Sequence, residues 1–306
     1  MNGVAKDVLL HRLRERCIPE IWVKWIDAFC SDRRATIVVN GEASRQTELP
    51  QAGLPQGSPL SPILFLFFNA NLLKGGRNGR YGSIAFVDDY TAWVICKSAE
   101  ENLRVIQQHI IPRVEQWEEE SEATFEAEKT KLVHFKRRGE IRPSSVIIKG
   151  QEVEAVETVK ILGVVLDAHL SWSTQIAHAV SKGNKAALAF RRLKGLRPQT
   201  VRQLYISTVA PVLDYGSPVW SPLLTERNLG KLERAQASGV RAIISAFRTV
   251  ALPIAEAEAG VEPIPIRLEK YTRHFWLNAH TLPVKHSFWV FKCQITLASA
   301  LFHPCK

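Results

Sequence analysis

A chain of 306 residues is long enough for one large domain or two smaller ones, and its 46% apolar share is that of a globular protein with a buried core. Forty Lys and Arg against 30 Asp and Glu leave a formal charge of +10, which favours a polyanionic partner, either nucleic acid or an anionic membrane surface. Five scattered cysteines (Cys17, Cys30, Cys96, Cys293 and Cys305) form no CxxC pair, which argues against a zinc site or a disulfide framework and fits a reducing compartment, nucleus or cytoplasm; the charged N-terminal segment has no signal-peptide core, and no apolar run reaches a membrane span of roughly 18 to 20 residues.

Gly3–Cys30 reads as helical. Val8, Leu9, Leu13 and Ile18 form an apolar stripe, Pro19 interrupts it, and Trp22, Trp25, Ile26 and Phe29 resume it. Ala35–Val39, Asn40-Gly41 and Gln46–Leu49 predict a β-hairpin, because Asn-Gly is a strong two-residue turn signal. A Gly/Pro-rich loop, Gln51–Gly57, leads into an apolar helix from Pro59 to about Leu73, with Ser58 or Ser61 as its cap. Ser83–Val87 and Thr91–Cys96 are expected strands around Asp88-Asp89. A long helix follows, Ala99–Ser121, whose outward face carries Glu115 and Glu118–Glu120. Thr124–Phe125, Leu132–Phe135, Ser145–Lys149 and Ile161–Leu166 read as further strands, with Lys149-Gly150 turning the chain. From Ser173 the pattern is helical, over about Ser173–Leu193, Gln199–Leu213, Leu229–Ala246 and Ile266–Leu277. The change from α+β to all-α places a domain boundary near residue 170.

Two segments carry chemistry. In Phe86-Val87-Asp88-Asp89, adjacent carboxylates lie between short apolar strands. Like charges this close repel, and a divalent cation relieves the repulsion. Two-metal phosphoryl transfer needs carboxylates on a rigid turn that holds the ions about 4 Å apart. An Asp pair alone is more often an ordinary turn. Gly53-Leu54-Pro55-Gln56-Gly57-Ser58-Pro59-Leu60-Ser61-Pro62 is more specific. Its glycines let backbone approach a base or sugar, Gln56 offers both a donor and an acceptor, and the following helix points its N-terminal amides at the loop. A third feature is charge: Ala168–Leu213 contains no Asp or Glu, yet carries Lys182, Lys185, Arg191, Arg192, Lys194, Arg197 and Arg202. This is either a phosphate-binding face or a solvated basic one.

The string GLPQGSPLSPILF followed by AFVDD resembles motifs B and C of reverse transcriptases, and the details resemble LINE-type (non-LTR) retrotransposons, most like those of filamentous fungi. Glu128-Lys129-Thr130 resembles the palm motif whose lysine lies near the incoming nucleotide. Ile161–Asp167 with Trp172 resembles the primer-grip segment, and Val209–Gly216 with Trp220 the thumb region. The likeness covers about residues 2 to 285. It implies an α+β fold: a right-hand polymerase palm, antiparallel sheet plus helices, over 1–170, then an all-α thumb and connection region over 171–285, with 286–306 a divergent tail. It implies that Asp88 and Asp89 bind Mg²⁺ or Mn²⁺, and that Lys129 stabilises the triphosphate. Phe86, Gln56, Gly57 and Ser58 would line the template and nucleotide pocket, and Leu162 and Gly163 would place the primer end. The basic window would hold the RNA template or RNA/DNA duplex, with dNTP as substrate.

The family's first palm strand carries a third metal-binding Asp and runs into the helix seen here at Asn2-Gly3-Val4. Met1 stands where that strand should be ending. The expectation is therefore a truncated palm without fingers or that Asp, and catalytically incomplete. The alternative is a non-catalytic basic nucleic-acid-binding protein derived from the element. The oligomeric state is not legible from the sequence.

Overall fold

A computed structural model describes residues 4–49, 53–55, 57–73, 81–136, 139, 144–191 and 195–283. They form helices and small two-stranded antiparallel sheets, an α+β fold, in two compact units. One unit is Met1–Leu132 with Pro143–Ala155, the other Val133–Arg142 with Val156–Lys306. Among the described residues no helix is long and apolar enough to cross a membrane.

In the first unit the N-terminal helical stretch is two helices, α1 (Lys6–Glu15) and α2 (Glu20–Cys30). Pro19 precedes α2 in extended backbone, where its missing N–H costs nothing. The strands β1 (Arg34–Ala35), β2 (Val38–Val39), β3 (Glu42–Ala43) and β4 (Thr47–Glu48) form a nested hairpin about Asn40-Gly41, both at positive φ as a two-residue hairpin turn requires. α3 (Leu60–Asn69) follows, then β5 (Tyr81–Phe86) and β6 (Asp89–Val94), paired antiparallel. Leu9, Leu13, Val23, Leu64 and Phe68 build one core with Trp117.

The expected helix Ala99–Ser121 is continuous but contains a π-turn at Ile106–Ile110, between α4 (Ala99–Val105) and α5 (Ile111–Ser121). Its acidic face is not wholly outward. Glu118 is buried, accepts from Lys149 Nζ at 2.7 Å, and also accepts from the Phe125 amide. Thr124–Phe125 is loop where a strand was expected, because that amide bonds to Glu118 in place of a neighbouring strand. Leu132–Phe135 contributes only a single bridge, Leu132 to Ala155. β7 (Ser145–Ile148) and β8 (Gln151–Glu154) form the hairpin turned by Lys149-Gly150.

The second unit begins with another departure. The expected single strand Ile161–Leu166 is a hairpin, β9 (Thr158–Ile161) and β10 (Val164–Asp167), turned by Leu162-Gly163. It packs with the helical unit through Val164 and Leu166, so the break between the compact units does not coincide with residue 170. Helices α6 (Ser173–Arg191), α7 (Pro198–Leu204), α8 (Ala210–Asp214), α9 (Ser217–Trp220), α10 (Glu226–Ile243), α11 (Leu252–Ala259) and α12 (Ile264–His280) complete it. A π-turn, Tyr205–Val209, joins α7 to α8. The core gathers Trp172, Ile176, Tyr205, Leu213, Trp220, Leu232 and Ile264, all buried. Through it runs a polar chain. Arg267 pairs bidentately with Asp214 (Nε–Oδ2 2.6 Å, Nη2–Oδ1 2.9 Å) and donates to Gln236, which also accepts from Tyr205 and donates to Glu256. Burial pushes the Asp214 carboxyl up, opposed by Arg267.

Candidate functional site

The Asp pair is at the tip of the β5–β6 hairpin. Phe86 pairs with Asp89, so Val87-Asp88 is the two-residue turn and Asp89 already belongs to β6. The turn therefore falls one residue earlier than the expected strands placed it. Cross-strand partners share a face. Phe86, Asp89, Ile84 and Thr91 accordingly line one face, where Phe86 is 60% and Ile84 52% exposed. The other face is anchored: Val87 and Tyr90 pack on the first unit's core, and Tyr90 lies 6.0 Å from Phe125 ring to ring. Burial pushes the Tyr90 phenol up, partly offset by its hydrogen bond with Ser83.

Val87 has φ of 54°, a conformation that a β-branched residue rarely adopts. Asn69, from the last turn of α3, donates from Nδ2 to the Val87 carbonyl at 2.6 Å. The helix of the Gly53–Pro62 segment thus buttresses the carboxylate turn. Nothing in the sequence singled out Asn69; its only signal is a polar residue closing a strongly apolar helix.

At the other end of α3 the loop is fixed from inside. Leu54 is buried, the Ser61 hydroxyl donates to the Pro55 carbonyl at 2.6 Å, and Arg33 donates to the Gly53 carbonyl at 2.9 Å. Ser58 Oγ accepts from the Leu60 amide at 3.3 Å, but the cap position of α3 is Pro59, whose side chain makes no capping hydrogen bond, so neither Ser58 nor Ser61 is the expected cap. Gly57, at φ 87°, faces open space on its Cβ side. Gln56 lies outside the described residues. Lys129 ends a 3₁₀ turn, Ala127–Lys129, and pairs with Glu126 at 2.7 Å on the surface.

Asp88 and Asp89 are both exposed and have no ion pair among the described residues. Nor is there, among those residues, a group of three His, Cys, Asp or Glu side chains able to hold a metal ion. Carboxylate oxygens are the right donor chemistry for Mg²⁺, which takes one or two of them and completes its shell with water and substrate phosphate.

In the second unit the Leu162-Gly163 turn is held by Tyr215, whose hydroxyl donates to the Leu162 carbonyl at 2.8 Å. Leu162 has φ of 45° and Gly163 of 87°. A Cβ on Gly163 would stand 2.9 Å from the Tyr215 ring, so both the backbone and the close approach call for glycine. Trp220 in turn donates to the Tyr215 carbonyl at 3.0 Å. Two segments noted separately in the sequence, Ile161–Asp167 and Val209–Trp220, are thereby one assembly.

Among the basic residues, Lys182 and Lys185 are exposed on α6 and Arg197 is exposed at the start of α7. His178 on α6 is held below the usual histidine range by partial burial and then by Lys182 and Lys160, which marks a local excess of positive charge. Arg202 donates through Nε and Nη2 to the Gly260 carbonyl at 3.1 and 2.8 Å. Arg192 and Lys194 lie outside the described residues, as do the Arg191 side chain and the expected tail 286–306.

The acid pair thus stands at a hairpin tip buttressed by one end of an apolar helix, and the Gly/Pro loop is held at that helix's other end. Residues 3–166 match the family described as reverse transcriptase (RNA-dependent DNA polymerase). The chain belongs to that family, and the relatives it resembles are proteins of retrotransposable and mobile elements. It is 25% identical over 287 residues to a 115 kDa protein in type-1 retrotransposable element R1DM of Drosophila melanogaster, covering 89% of this chain and 26% of that one. It is 26% identical over 250 residues to the RNA-directed DNA polymerase from mobile element jockey of Drosophila funebris, covering 78% and 26%. The jockey polymerase of Drosophila melanogaster is 25% identical over 285 residues, covering 89% and 30%. The chain thus spans between a quarter and a third of these relatives' length.

Proposed function

We propose that this chain supplies the palm and thumb of an RNA-directed DNA polymerase, with Asp88 and Asp89 as part of its metal centre. The observation that carries the reading is the Asn69–Val87 hydrogen bond. It ties the helix that follows the Gly/Pro loop to the turn from which both carboxylates face solvent. Mg²⁺ or Mn²⁺, when bound, would supply charge stabilisation for the attacking and leaving oxygens. The exposed face of Phe86 would support the nucleotide sugar or primer end. Gly57 and Ser58, with Gln56, would border the template and nucleotide. Lys129 would exchange Glu126 for a triphosphate oxygen, and Leu162-Gly163 would steady the primer terminus. Lys182, Lys185, Arg191, Arg192, Lys194, Arg197 and Arg202 would track the backbone of an RNA/DNA duplex. The palm-and-thumb division, the fungal affinity and a nuclear or cytoplasmic setting belong to the same proposal.

Two carboxylates are fewer than a two-metal site uses, and no third ligand stands with them among the described residues. We therefore propose that residues 1–306 alone do not polymerise. That same observation favours a second reading, a non-catalytic nucleic-acid-binding protein. Primer extension on poly(rA)/oligo(dT) separates the two. Residues 1–306 should give no product. The chain joined to the region preceding the matching segment of a jockey polymerase should extend the primer, and Asp88→Ala should abolish that activity. Extension by residues 1–306 alone would refute the incompleteness. Extension by the joined chain that survives Asp88→Ala would remove Asp88 from the metal centre, and a joined chain without activity would favour the binding reading.

A further inference from the structure

We propose that the second unit carries a single-strand nucleic-acid site along α10 and the loop after it, with Arg234 and Arg248 as phosphate contacts and Phe247 as a base-stacking platform. The site is separate from the basic face of α6 and does not rest on the polymerase reading.

Lys231, Arg234, Ser238 and Arg241 follow one another at spacings of three, four and three residues, which puts them on one stripe of α10. Ten residues of helix make that stripe about 15 Å long. Two clefts open along it and share Arg234 and Ser238. The first, of about 490 Å³, has α6 as its other wall and includes Lys231. The second, of about 970 Å³, continues past the end of α10 to Arg241, Phe247 and Arg248. No Asp or Glu is among the described residues that line either cleft. The result is an electropositive groove with no residue of opposite sign among the described ones in its walls.

The groups in it differ in how they are held. Arg241 is structural: its Nε and Nη2 donate to the Val250 carbonyl at 3.1 and 2.7 Å, and the Val250 amide donates to the Phe247 carbonyl at 3.2 Å. The loop is tied down at both ends of that turn. Phe247 at its tip is nonetheless 83% exposed. Arg234 and Arg248 are also exposed, and neither has a hydrogen bond or ion pair with a described residue. One exposed phenylalanine is ordinary. A phenylalanine held in water beside exposed guanidinium groups is the combination that binds single strands, where cations track the phosphates and an aromatic ring stacks on an unpaired base. A duplex would leave the ring without a partner, because its bases are already stacked on one another.

The test is fluorescence anisotropy with the 306-residue chain on labelled oligo(U), oligo(dT) and a blunt duplex. Phe247→Ala should weaken single-strand binding roughly tenfold and leave the duplex unchanged. Phe247→Tyr, which keeps the ring, should bind like the parent. Arg234→Gln with Arg248→Gln should lower the single-strand salt slope by about 1.4, two contacts at about 0.7 each. A loss on either strand type supports the site, and the comparison assigns it to RNA or DNA. Single-strand binding unchanged in all variants would overturn the proposal. So would an equal loss on duplex, or a Tyr variant as weak as the Ala variant.

Discussion

The Val87 carbonyl lies at a tight turn in strained backbone, and the Asn69 amide takes its oxygen. Removing that donor leaves the carbonyl to the weaker competition of water and frees the turn to relax. Asn69→Ala should cost about 1–2 kcal/mol in stability and speed amide exchange at Asp88 and Asp89; unchanged exchange would mean that the turn holds itself. The acid pair was legible in the sequence because two adjacent carboxylates within apolar strands demand a reason. Asn69 was not, since a polar residue at a helix end ordinarily reads as a cap. Glu118 departs from its expected exposure for a related reason. In a run of three glutamates it looked solvated, and only Lys149 and the Phe125 amide, distant in sequence, make its burial tolerable.

Hairpins marked by turn chemistry were readable, as Asn40-Gly41 and Lys149-Gly150 demonstrate. The Leu162-Gly163 turn was not, because leucine is a poor residue for positive φ and so hid a hairpin inside an apparent strand. The Tyr215 hydrogen bond stabilises it from another element, beyond what local sequence encodes. The basic stripe of α10 is hidden in linear order for a different reason. Glu233 interrupts it in linear order, and only the helical period separates that residue from it. The Asp214–Arg267 pair joins α8 to α12 across the helical core, and both side chains are nearly enclosed. Asp214→Asn would leave a buried guanidinium without its counter-charge, so it should destabilise the chain by about 3–5 kcal/mol. Urea unfolding measures this; a loss within error would mean that water reaches Arg267.

Taken whole, the molecule's excess of positive charge is distributed where a polyanion can use it, with Lys182 and Lys185 exposed on α6 and Lys160 and Lys182 bearing on His178. Lys182→Ala with Lys185→Ala should reduce the salt slope of hybrid-duplex binding by about 1.8, two phosphates at about 0.9 each. An unaltered slope would make α6 a merely solvated face. The class of fold and the family were legible from the two motifs, whereas the division into compact units depends on packing of the β9–β10 hairpin that no motif announces. The most direct test of the central claim is Mn²⁺ binding, followed by electron paramagnetic resonance on the 306-residue chain with poly(rA)/oligo(dT) and dTTP present. The account predicts bound Mn²⁺ that Asp88→Asn with Asp89→Asn removes while the duplex stays bound. Equal Mn²⁺ binding by that variant would contradict it.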